Sequence, residues 1–66
     1  MMNVDIQKLI EARVESGMNI EEIVEKADIS RATLWRIENG KSRPTAKTLS
    51  QLCEVYNKRA NYFFRR

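Results

Sequence analysis

The side chains with chemistry to offer cluster between residues 30 and 43. Arg31, Ala32, Trp35, Arg36 and Asn39 share one face of a short helical stretch, at 100° per residue, and Leu34 and Ile37 take the other. A helix that turns arginines and a tryptophan away from its apolar side suits insertion into the major groove of double-stranded DNA. Other chemistry has no comparable basis. The chain has no histidine, one cysteine, no Gly-rich phosphate loop and no nucleophile spaced from a base. Neither catalysis nor a cofactor is expected. A disulfide framework is excluded, and a metal site of the zinc type nearly so.

A basic helix is presented only by a scaffold that buries its other side. No segment alternates with period two, so the chain reads as all-α. A first helix is expected over about 4–16, with Asn3 as cap and Gly17 closing it in the left-handed conformation. Its stripe is Ile6, Leu9, Ile10 and Val14. The second helix opens on Asn19, with Glu22 three residues later as a capping-box partner and Met18 and Ile23 as a hydrophobic staple. Ile23, Val24 and Ala27 face the core. Ser30 caps the third helix, Ile29 staples onto Leu34, and Gly40 ends it. Lys41-Ser42-Arg43-Pro44 is then a basic loop. A fourth helix follows Thr45 and buries Leu49, Leu52, Cys53 and Tyr56. A short last helix carries Tyr62, Phe63 and Phe64. Three consecutive aromatics cannot all face inward, and Phe63 is the one expected to complete the core.

At 66 residues the chain has room for one domain, 1–66, with one small core. Its net charge of +3 is unevenly placed. Residues 1–30 hold three Lys/Arg against seven Asp/Glu, whereas residues 31–66 hold nine against two. A polyanion partner on one face accounts for this asymmetry, as does an ordinary solvated basic surface. No run approaches the ~18 apolar residues of a membrane span. The start lacks a signal-peptide layout, so a cytoplasmic setting is expected.

These residues resemble the lambda-repressor/Cro-type (XRE) helix-turn-helix family over about 60 residues. The resemblance is carried by an inward arginine on the first helix, the capped second helix, a four-residue turn and a third helix starting at Ser30. Its most specific piece is Ile37-Glu38-Asn39-Gly40 followed by Lys41 and Pro44. The resemblance implies a compact five-helix domain whose recognition helix, about 31–38, lies in the major groove. Arg31, Ala32, Trp35 and Arg36 would then lie on the groove side. The two arginines are candidates for guanine, and Ala32 for a thymine methyl. Asn19, Ser30, Thr33, Asn39, Lys41, Ser42 and Arg43 would meet the phosphate backbone. Arg13 and Glu38 match positions that form a structural ion pair; read without the resemblance, each is an ordinary edge charge. Tyr56, Tyr62, Phe63 and Phe64 would supply a homodimer interface.

Three positions depart from the family pattern. Ile20 stands where a glutamine usually grips phosphate, so that contact is lost. Asp28 stands where the turn usually has glycine, and Asp tolerates left-handed geometry better than most residues. Trp35 replaces a polar residue. It can pack on sugar and thymine methyl, stack on Arg31, lean over the scaffold edge or meet another protein. Cys53 reads as a core thiol, Glu21, Glu22 and Glu25 as a solvated acidic face, and Arg65-Arg66 as a frayed tail.

The expected function is sequence-specific binding of a palindromic operator by a homodimer, as a transcriptional regulator with no enzymatic activity; a repressor is the first expectation, although the sequence does not decide between repression and activation. The rival reading is a protein-interaction module on the same fold, such as an antitoxin or a regulator titrated by a partner. A membrane-surface role is weaker, because the basic half lacks a long amphipathic pattern.

Overall fold

Local capping sets where each helix begins, and it places the first start later than the sequence suggested. The computed structural model describes residues 3–65; Arg66, half of the expected tail, lies outside them. Asp5, not Asn3, caps α1 (Ile6–Ser16), its side chain accepting from the Gln7 N–H at 3.0 Å. Asn3 is unavailable because Asn3–Val4 forms β1, which pairs antiparallel with β2 (Phe64–Arg65). The Asp5 N–H donates to the Phe63 carbonyl and extends that closure of the chain ends. Arg65 is therefore part of a ribbon, not a frayed tail.

Then follow α2 (Ile20–Ala27), α3 (Arg31–Glu38) and α4 (Ala46–Tyr56). Asn19, Ser30 and Thr45 cap them in turn, each side chain accepting from the N–H three residues on. At α2 the reciprocal bond from the Asn19 N–H to the Glu22 carboxylate completes a capping box. Gly17 closes α1 at φ 70°.

Among the described residues the chain forms four α-helices, not five, and it is mostly helical instead of wholly so. The expected last helix is a single 3-10 turn over Ala60–Phe63, after which Phe64 is extended. Each strand is two residues long, too short for a period-two pattern to register.

Leu9, Ala12, Ile23, Ala27, Leu34, Ile37, Leu49, Leu52, Tyr56 and Phe63 form the core. Phe63 is fully buried. Val14 is 67% exposed, contrary to the stripe read for the first helix, and Ala12 takes the inward position. The buried arc of α1 packs against α3, α4 and the final turn. Met18, Ile20, Val24 and Ile29 pack around the core rim. Cys53 also lies at the rim, not within the core as expected; α4 points Leu49, Leu52 and Tyr56 inward and leaves the thiol half-buried. That burial still pushes the thiol pKa up.

Candidate nucleic-acid interface

The orientation of α3 is decided by the turn before it. Asp28 takes the left-handed conformation, φ 57° and ψ 47°. Its N–H donates to the Val24 and Glu25 carbonyls, and the Ile29 N–H returns to the Val24 carbonyl at 3.1 Å. These bonds satisfy the last carbonyls of α2, as in a Schellman closure. Two residues later the Ser30 hydroxyl accepts from the Thr33 N–H at 3.0 Å and lies 2.9 Å from the Thr33 hydroxyl. The chain thus leaves one helix and enters the next with both ends capped.

Leu34 and Ile37 anchor α3 in the core, so Arg31, Ala32, Trp35 and Arg36 are turned to solvent. Trp35 is 57% exposed. It shares a cleft of about 290 Å³ with Ile20, Arg31, Leu34, Glu38 and Asn39. Arg36 makes no ion pair among the described residues. It sits in the last turn, where a cation complements the helix dipole.

The end of α3 organises the basic loop. The Asn39 backbone N–H and side-chain amide both donate to the Trp35 carbonyl, at 3.0 and 2.8 Å. Lys41 and Ser42 donate their N–H groups to the Arg36 carbonyl at 2.8 and 3.4 Å. Gly40 permits this reversal at φ 71°. Lys41, Ser42 and Arg43 are all exposed immediately beyond the helix end.

The back of the same helix is tied to α1. The Arg13 Nε donates to both Glu38 carboxylate oxygens, at 2.9 and 3.1 Å, across 25 residues of sequence. The Tyr56 hydroxyl is buried without a hydrogen-bond partner among the described residues. Burial, then the Glu38 carboxylate, push its pKa up to about 12, with Arg13 opposing.

This is a capped helix pair whose second member turns a basic face outward. A helix-turn-helix family profile matches residues 9–63. The chain belongs to the XRE-type helix-turn-helix family. Members of this family are DNA-binding regulators. The chain is also 33% identical, over 56 residues, to a protein of Methanothermobacter thermautotrophicus (strain Delta H) named as a candidate HTH-type transcriptional regulatory protein. The match takes in 85% of this chain and 18% of that protein.

Within the helix-turn-helix domain, the residues expected at phosphate fall into two groups. Lys41, Ser42 and Arg43 are exposed on the loop. Asn19, Ser30, Thr33 and Asn39 already serve the fold: the first two cap helices, Thr33 Oγ1 meets Ser30, and the Asn39 amide closes α3. The aromatics expected at a dimer contact are separated. Tyr56 and Phe63 are buried in the protomer's own core. Tyr62 and Phe64 remain half-buried at the surface. Lys8 and Lys58 lie over the Tyr62 ring at 4.8 and 4.7 Å, a contact the sequence did not signal.

A second contact also went unread. Arg31 Nη2 lies 2.8 and 3.1 Å from the two Glu21 oxygens. Opposite charges ten residues apart on either side of a tight turn were the available signal.

Proposed function

We propose that this domain binds double-stranded DNA sequence-specifically, with α3 in the major groove, and regulates transcription as a repressor. One observation carries the reading. Arg31 and Arg36 stand exposed on the outer face of a helix whose inner face is anchored by Leu34 and Ile37, and the basic loop is hydrogen-bonded to that helix end. Arg31 and Arg36 read guanine edges, while Ala32 and Trp35 provide apolar contact. Lys41, Ser42 and Arg43 hold phosphate, as do exposed donors around Asn19, Ser30, Thr33 and Asn39. Two copies read half-sites about one helical turn apart in a palindromic operator. Tyr62 and Phe64 are the aromatics accessible for their association. The protein acts in the cytoplasm, without a cofactor and without enzymatic activity.

The protein-interaction reading rests on Trp35, which is large, exposed and beside an apolar cleft formed with Ile20 and Leu34. Selection of bound sequences from a randomised duplex pool separates the two. A palindromic winner whose affinity falls steeply with log salt supports the operator reading. Loss of its preference in Arg36→Ala places that residue on a base. Enrichment of no sequence moves the weight to a protein partner.

A further inference from the structure

Glu21 and Glu22 are adjacent acids in the first turn of α2, and the fold uses only one of them. Glu22 is consumed by the capping box with Asn19. Glu21 instead reaches across to α3 and meets Arg31, the first residue of the proposed recognition helix. Both partners are about two-thirds exposed, at 65% and 67%. Exposed pairs of this kind contribute little to stability, so the contact is not explained by a need of the fold. What it changes is the state of the arginine.

Glu21 engages one terminal nitrogen, Nη2, and leaves Nε and Nη1 outside the pair. Nη2 carries two N–H groups, and each stands parallel to an N–H of a neighbouring nitrogen. With one of them on Glu21, the other still completes a two-donor fork of the shape that matches guanine O6 and N7. Fixing a long side chain in advance lowers the ordering cost of that contact. The carboxylate also offsets the positive charge, which weakens any attachment of Arg31 to phosphate, the contact that carries no sequence information. Resting on the DNA-binding reading above, we infer that Glu21 is a positioning residue for base recognition: it holds Arg31 by Nη2 so that the guanidinium reads a guanine instead of a phosphate.

The test uses the best-bound duplex from the randomised pool and its single-base variants at the position whose preference disappears in Arg31→Ala. Competition binding is measured for the wild type, Glu21→Gln, Glu21→Asp, Arg31→Ala and the Glu21→Gln/Arg31→Ala double variant, each with a melting curve to confirm folding. Arg31→Ala should remove a guanine preference of about ten- to hundredfold. Glu21→Gln should lower that preference by about three- to tenfold at the same position only, while binding of an unrelated duplex holds or rises. Glu21→Asp should keep part of it, and the double variant should match Arg31→Ala. The inference is overturned if Glu21→Gln changes cognate and unrelated duplexes by the same factor, because Glu21 then acts only as a background charge. It is overturned alone if the wild type shows a guanine preference that Glu21→Gln does not touch. A wild type with no sequence preference at all overturns the DNA-binding reading with it.

Discussion

Removing Arg13 tests how rigidly the exposed helix is held. Glu38 closes α3, and its carboxylate receives Arg13 Nε at 2.9 and 3.1 Å. The side chains are 27% and 12% exposed. Fully buried pairs lose about 3–5 kcal/mol when one partner is truncated, and fully exposed pairs at most about 1 kcal/mol. A pair screened on the Arg13 side but largely enclosed on the Glu38 side falls between, at about 2 kcal/mol. A domain of this size holds roughly 3–10 kcal/mol in total, so Arg13→Ala removes a large share. At about 4–8 °C per kcal/mol for small domains, Tm should fall by about 10 °C. Thermal and urea unfolding followed by circular dichroism provides the measurement. The Arg13→Ala/Glu38→Ala double variant should recover part of the loss, with a coupling energy of about 1 kcal/mol, because no unpaired carboxylate is then left beside Tyr56. A Tm within about 2 °C of wild type in Arg13→Ala would refute the reasoning, and so would a coupling indistinguishable from zero.

The Tyr56 hydroxyl has no partner among the described residues and its pKa is raised from 10.0 to about 12. The folded state therefore holds this proton where the unfolded state has released it, so its contribution is intact below pH 10 and is lost as pH climbs toward 12. Tyr56→Phe should leave neutral-pH stability unchanged or improved by up to about 1 kcal/mol, and should flatten the alkaline decline by about 2 kcal/mol in denaturant titrations at pH 9 and 12. Asp28→Gly should raise stability by about 0.5–1 kcal/mol in urea unfolding, since glycine accepts the left-handed geometry freely and the substitution removes an anion from a helix C-terminus. Lys41→Ala removes one phosphate contact from each of the two bound copies, so it should reduce the slope of log affinity against log salt by about 2, with base preference and Tm unchanged, as read by a salt titration on the selected duplex.

The helix-turn-helix was legible because it is written in local signals. Asn19 with Glu22, Ser30 before Thr33, and Leu34 with Ile37 are separated by three residues each, and one helical turn brings such residues together without help from the rest of the chain. The same spacing showed that Arg31, Trp35 and Arg36 turn outward. The elements at the chain ends were not legible in this way. Val14 lies on the same nominal stripe as Leu9, yet it faces solvent, because which arc of α1 is buried depends on the elements that pack on it, α3, α4 and the final 3-10 turn. Asn3 had the right residue type for a cap and was claimed by Arg65, its ribbon partner at the far end of the chain. Phe63 and Phe64 are neighbours, one fully buried and one extended into a strand, and only closure of the termini separates them.

Arg13 with Glu38 and Arg31 with Glu21 show where the division falls. By itself the amino-acid sequence determined the helices α2, α3 and α4, their caps and the outward basic face, since these depend on interactions within a turn or two. Tertiary structure alone decided which charges meet across 25 and 10 residues, which aromatics are spent inside the protomer, and that the ends close as a ribbon. Those outcomes depend on the packing angles between elements, and a linear pattern carries no record of an angle.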